Sequence, residues 1–333
     1  MPLDPYHLTP NASINRVKMS AASGLPPAWK GRMAYSLLGR EFLVQRIHQS
    51  FSELATLPDP VPVFEQQALA GGDEQAVTIV RDYGAALGYL LLTLKTGAPA
   101  DRELRPEWDE SYWQHWGSRQ HIIFGGGMMA GLFGQLALDA VRDIVGDLLT
   151  VEISPLAPIL PLIGLARRLP PIPTQALVFD FGGTTVKRAC VTIEEARLTR
   201  VEQLPSTALP TLPDGAALLD FMIATISDTW RVYPSPYLSP IISLSLANYV
   251  EDQRPVPDNG YGRLLELGDD TSRLLDNALA HETGQTVHIK LMHDGTAAGL
   301  AYADAVNTAV IMVGTALGMG FPPPDEGLLG LEL

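Results

Sequence analysis

The sequence predicts an α/β fold of two domains with a cleft between them. Three observations carry the prediction. Short apolar runs recur along the chain, and each ends at a glycine-centred turn: 122–124 before Gly125-Gly126-Gly127, 176–179 before Gly182-Gly183, 287–292 before His293-Asp294-Gly295, and 309–313 before Gly314-Thr315. Other stretches carry apolar residues at helical spacing, such as Leu37, Leu38, Phe42, Leu43 and Ile47. The length, 333 residues, is enough for two domains.

Composition narrows the function. Hydrophobic residues make up 46% of the chain, as expected for a substantial core. The net charge of −14 repels a phosphate backbone, so no nucleic-acid partner is expected. The single cysteine, Cys190, excludes an internal disulfide and any multi-cysteine zinc site. The first ten residues lack a basic region followed by an apolar run, so no signal peptide is expected. The apolar stretch 89–94 is too short for a bilayer and 151–166 is broken by three prolines, so no membrane partner is expected either. The expected home is the cytoplasm. A homodimer is left open.

Residues 1–28 read as loop, rich in Pro, Ser, Asn and Ala. A helix follows over 31–51, then a proline break at 57–63. Two helices are expected over 63–94; the second starts at Asp73-Glu74 and ends at Lys95 and Gly97, as the helix dipole and a glycine C-cap favour. The polar stretch 98–120 holds three tryptophans, read as packing residues. Next come a strand at 122–124, the triple-glycine turn, and a helix over 128–145. Residues 151–175 end in a Pro-rich linker.

The stretch 176–191 reads as strand, tight glycine turn and second strand. One or two strands, a proline loop and a helix over 215–228 follow, then a strand at 240–246 and a helix over 263–282. Val287 opens the next strand; Asp294 stands at its end and at the start of a helix of small residues, where ligands gather in α/β domains. The last motif, 309–321, is again strand, Gly314-Thr315, Gly318, Gly320 and strand.

The chemistry at 180–187 suits a nucleotide triphosphate with magnesium. Gly182 and Gly183 let backbone approach a ligand, Thr184 and Thr185 add hydroxyls, Lys187 adds positive charge, and Asp180 can hold a metal through its waters. Read singly, each feature has an ordinary explanation. Gly-Gly makes a β-turn, Gly125 to Gly127 link strand to helix, Thr315 is a turn hydroxyl, and Lys187 is an exposed strand lysine. Asp294 suits a helix N-cap, His293 a packed histidine, and Asn248 a loop.

Taken together, the turns resemble the motifs of the sugar kinases of the actin, hexokinase and heat-shock-chaperone superfamily, and in particular the ROK group. DFGGTTVK (180–187) resembles that family's first phosphate motif, HDGTAAGLA (293–301) its substrate motif, VGTALGMGF (313–321) its second phosphate motif, and IIFGGG (122–127) its adenosine motif. The resemblance implies two RNase H-like domains and ATP-dependent phosphorylation of a sugar hydroxyl, with Mg2+ and with Asp294 as general base. It implies phosphate contacts from Asp180, Gly182, Gly183, Thr184, Thr185, Lys187, Gly314, Thr315 and Gly318. Adenosine would lie beside Gly125, Gly126 and Gly127, sugar beside His293, Asp294, Asn248 and Glu332, and magnesium on Asp180 through water.

The motif order departs from the family's and implies a circular permutant. One domain would comprise 174–306 and the other 307–333 plus 1–168, with the linker 169–173 joining the old termini. His293 stands where the family has asparagine, and Ala34 near where it has a glutamate. Ala316 replaces a glycine, which would strain a position of positive φ. The family's sugar-binding histidine has no clear counterpart; His7 fits poorly. The zinc cysteines are absent, so no structural zinc is expected. A degenerate nucleotide- or sugar-binding protein, and a kinase of a non-sugar substrate, are the alternatives.

Overall fold

A computed structural model describes residues 3–233, 237–324 and 327–331. Its strands run β1 (His121–Gly125), β2 (Thr150–Ile153), β3 (Thr174–Phe181), β4 (Thr185–Glu194), β5 (Arg197–Ala208) and β6 (Ile241–Leu246). A two-residue hairpin, β7 (Val250–Glu251) and β8 (Arg254–Pro255), precedes β9 (His288–His293), β10 (Thr308–Val313) and β11 (Leu317–Gly320). The chain divides into two compact units. Unit 1 holds residues 1–4, 11–158 and 307–319; unit 2 holds 5–10, 159–306 and 320–333.

Unit 1 carries a four-stranded sheet in the order β11-β10-β1-β2. β1 is parallel to both β10 and β2, and β11 follows β10 through a three-residue turn that is too short for a parallel crossover. The helices are α1 (Tyr35–Leu38), α2 (Arg40–Ser50), α3 (Val61–Val63), α4 (Glu74–Thr96), α5 (Pro99–Glu103), α6 (Glu110–Ser118) and α7 (Leu132–Val145).

The long helix α4 has the ends its sequence predicts. The Asp73 carboxylate accepts the Ala76 N–H at 2.9 Å, and Gly97 closes the helix at φ 49°. Gly84 and Gly88 bring α4 onto α7: a Cβ at Gly84 would lie 2.2 Å from the Ala137 carbonyl oxygen. By length and composition α4 could cross a membrane, contrary to the expectation that no apolar stretch is long enough; 67% of its most apolar window is buried within the protein.

Three other expectations change in unit 1. The helix expected over 31–51 breaks at Gly39, whose backbone is extended (φ −65°, ψ 144°). The stretch read as loop near the N-terminus instead buries Ile14, Val17 and Met19, and folds into short 3-10 turns. The helix after the triple glycine starts at Leu132, because a 3-10 turn over Gly127–Met129 intervenes.

Unit 2 carries a five-stranded sheet in the order β5-β4-β3-β6-β9. β3, β4 and β5 form an antiparallel meander, and β6 and β9 continue parallel to β3. Helices α9 (Gly215–Val232) and α10 (Thr271–Thr283) pack with a core that includes Leu177, Phe179, Met222, Leu244 and Leu275, while α8 (Leu160–Arg167) meets α11 (Asp294–Leu300). The helix expected over 263–282 starts only at Thr271, capped by Asp270; Tyr261–Glu266 is a separate 3-10 turn, and Gly268 at φ 152° separates the two. The segment 159–168, read with the other domain from sequence, lies in unit 2. There the α8 backbone sits so close to α11 that a Cβ at Gly164 would meet the Ala297 oxygen at 1.6 Å.

In each unit a carboxamide closes a sheet edge. Asn15 pairs with both backbone groups of Leu317 on β11 (2.6 and 3.0 Å), and Gln253 pairs with both of Leu291 on β9 (3.2 and 2.7 Å). Edge N–H and C=O groups satisfied in this way are closed to further strands.

Candidate functional site

The C-terminal ends of three parallel strands of unit 2 collect the polar groups. Asp180 is the penultimate residue of β3, Ser245 lies beside it on β6 in register, and His293 ends β9. Asp180 is 4% exposed. Its Oδ1 accepts a hydrogen bond from the Ser245 hydroxyl at 2.9 Å, and its Oδ2 faces Lys187 Nζ at 3.6 Å. Lys187 is half-buried rather than an exposed strand lysine, because it lies directly across from Asp180 in the antiparallel ladder.

The turn between β3 and β4 follows from close backbone approach. Gly182 N–H donates to the Thr185 carbonyl at 3.0 Å, and a Cβ on Gly182 would stand 2.8 Å from that oxygen. Neither Gly182 nor Gly183 has positive φ. Gly183 and Thr184 are exposed. The Tyr261 hydroxyl donates to the Gly182 carbonyl at 2.9 Å and holds the turn from below.

At the end of β9 the residue that caps α11 is His293. Its Nδ1 accepts the Thr296 N–H at 3.2 Å, and its Nε2 lies 3.2 Å from Asp294 Oδ1. The N-cap role open to Asp294 in the sequence is therefore taken by its neighbour. Asp294 accepts the Gly295 N–H at 2.6 Å and keeps 24% of its side-chain surface open. Desolvation, and next the charge of Asp180, push its carboxyl up to about 7; the Gly295 N–H and Lys187 oppose them. Burial lowers His293 to about 3, so the ring is neutral. Burial, then the charges of Asp180 and Asp294, raise the Tyr261 phenol.

The charge of Asp180 raises the proton affinity of Asp294, Lys187 offsets it in part, and the Asp180 carboxylate is the group available to a divalent cation. Among the described residues no three His, Cys, Asp or Glu side chains gather around one point.

The other sequence candidates are placed less simply. Asn248 is buried and its amide donates to the Val256 carbonyl at 2.8 Å, which ties down the β7–β8 hairpin. In unit 1, Gly314 and Thr315 form the turn between β10 and β11, with Thr315 exposed. Gly318 lies within β11. Ala316 is not at positive φ, so the strain expected from the lost glycine does not arise. Gly125 ends β1, and Gly126 turns at φ 97° with a would-be Cβ 2.2 Å from the Val313 oxygen. At the start of α7, beyond the Gly125–Gly127 turn, an internal carboxylate meets the helix: Glu65 Oε1 accepts the Phe133 N–H at 3.1 Å. Ala34 is fully buried. Glu332 lies outside the described residues.

Sequence reasoning missed Ser245, Tyr249, Tyr261 and Glu65. Ser245 had a signal, a polar residue alternating inside an apolar strand. The aromatic pair had none: Tyr249 stacks on His293 with ring centroids 4.4 Å apart. A groove of about 680 Å³ lies beside the start of β9 in unit 2, where Arg254 pairs with Asp269 and His288 lies near Asp276.

No family model matches the sequence. No curated protein sequence matches it. Among solved structures the chain is similar to an inorganic polyphosphate/ATP-glucomannokinase from Arthrobacter sp. strain KM, at 14% identity over 46% of this chain and 62% of that one, with a TM-score of 0.33. It is also similar to the PPX-GPPA enzyme of Aquifex aeolicus, at 8% identity over 35% of this chain and 36% of that one (TM-score 0.21). An exopolyphosphatase-like protein matches at 11% identity over 66% of this chain and 87% of that one (TM-score 0.29). The chain spans less than two thirds of the first two of these proteins. At such scores the fold rests on its own strand order.

Proposed function

We propose that the protein transfers a phosphoryl group from ATP to a sugar hydroxyl, with Asp294 as the general base. The observation that carries this reading is the state of Asp294: partly open, released from capping by His293, and with a carboxyl pushed up to about 7 beside a second carboxylate. A base of that pKa holds a hydroxyl proton as the oxygen attacks. Asp180 would hold Mg2+ through water, and the Gly182–Thr185 turn would line the phosphates. Gly314-Thr315 is assigned to the phosphates, and Gly125 to Gly127 to the adenosine, by resemblance alone. Mg-ATP, when bound, supplies the transferable phosphoryl group and neutralises its charge.

Strand order supports the permuted reading. In unit 2 the hairpin β3–β4 comes first in the chain and the parallel strands follow; in unit 1 the hairpin β10–β11 comes last and the parallel strands β1 and β2 come first. Starting unit 1 at β10 reproduces the unit 2 pattern without its fifth strand. The ROK assignment is part of the same proposal, as is a two-domain division close to 174–306 and 307–333 plus 1–168, with 159–168 and 320–333 moved to the first of these. So are a cytoplasmic home, a small-molecule sugar partner and an open homodimer.

A second reading, binding without turnover, is favoured by the family's sugar-binding histidine, which has no clear counterpart in this sequence. An ADP-release screen across hexoses, amino sugars and their derivatives separates the two. Turnover that Asp294→Asn abolishes supports the kinase. Turnover that survives the substitution removes Asp294 as base. Tight ATP binding with no turnover on any sugar supports the second reading.

A further inference from the structure

We propose that His293 is a positioning residue, which holds the Asp294 carboxylate with one ring nitrogen while the other is pinned to the start of α11. The inference rests on the reading of Asp294 as the base. Nδ1 accepts the Thr296 N–H at 3.2 Å and lies 3.2 Å from the Thr296 hydroxyl, so in the neutral ring it carries no proton. The proton is then on Nε2, 3.2 Å from Asp294 Oδ1. The ring is 6% exposed and lies flat against Tyr249, with an interplanar angle of 15°, so it has no room to rotate. Oδ1 also accepts the Gly295 N–H at 2.6 Å. Two donors thus fix one carboxylate oxygen, and Oδ2 is left to take the substrate proton.

Histidine suits this double task. Asparagine has an oxygen that caps α11 but lacks the second nitrogen; glutamine places an amide near the Nε2 position but gives up the cap. His293 therefore contacts Asp294 and the helix start, and the sugar is not its ligand.

The test pairs spectroscopy with kinetics on the full chain. 15N NMR of the histidine rings should show His293 as the neutral Nε2–H tautomer, with its Nε2 resonance moved by Asp294→Asn. An Nδ1–H tautomer, or no movement, overturns the proposal. In ADP release with Mg-ATP and the best sugar, His293→Asn should keep the melting temperature and sugar KM but lose about tenfold in kcat. His293→Gln should lose melting temperature while keeping more of kcat. In the Asp294→Asn background neither should lower the residual rate further. Wild-type kcat in His293→Asn, or a full additional loss in the double variants, would overturn it as well. Wild-type kcat in Asp294→Asn alone would instead sink the base reading, and the tautomer and its response would still decide the His293–Asp294 contact.

Discussion

Lys187 Nζ lies 3.6 Å from Asp180 Oδ2, across one cross-strand pair of the β3–β4 hairpin. A lysine that the motif would offer to phosphate is thus spent, in this structure, on the carboxylate of the same hairpin. The pair also sets the electrostatics of Asp294, which Asp180 raises and Lys187 lowers.

Removing that lysine should therefore move the base. In Lys187→Met the Asp294 carboxyl titrates higher than about 7, and the acidic limb of the ADP-release profile shifts to higher pH. Rates measured from pH 5 to 9 check this; an unmoved limb separates Lys187 from Asp294.

Asp294 also links pH to stability. Its carboxyl rises from 3.8 to about 7 in the folded chain, so the folded state binds the proton more tightly. The stabilisation this gives is complete below 3.8 and is lost as pH rises through about 7. Asp294→Asn, which has no proton to lose, should be more stable than wild type at pH 8 by on the order of 1 kcal/mol, or about 1–2 °C for a chain of this length. The gap should shrink toward pH 4. Thermal melts at the two pH values measure it.

The two glycine turns of unit 1 should respond differently to alanine. Gly126 has φ 97° and no room for a Cβ, so Gly126→Ala should cost about 2–4 kcal/mol. Gly314 has ordinary φ, and its nearest would-be contact is the Ala316 oxygen at 3.9 Å. Gly314→Ala should leave denaturant midpoints unchanged, so any loss of ATP affinity there reports the ligand and not the fold.

Glu65 caps α7 from outside the helix. Glu65→Ala should lower stability by about 1 kcal/mol. If the helix start belongs to the nucleotide, the same substitution should tighten ATP binding about fivefold by calorimetry, because an internal anion no longer occupies it.

Most of the fold was legible in the sequence because its elements carry local signals. Asp73 and Gly97 bound α4, Asp214 caps α9 through the Ala217 N–H, and the alternation over 176–191 gives the β3–β4 hairpin. What stayed hidden depends on contacts distant in sequence. The break before α10 turns on Gly268, and Glu65 reaches α7 from 68 residues away. At the site, Asp180, Lys187 and Asp294 were readable as chemistry-bearing residues at strand ends. Tyr249 and Tyr261 were not, since nothing local ties a loop tyrosine to a carboxylate on another strand. The choice between His293 and Asp294 as helix cap was a matter of geometry, which residue types alone leave open.

Single-turnover transfer of the γ-phosphoryl of ATP to sugar at pH 8, with wild type beside Asp294→Asn, tests the role of Asp294 as base. Transfer should fall at least about 100-fold in the variant while ATP affinity stays within about twofold. Transfer at the wild-type rate in Asp294→Asn would contradict it.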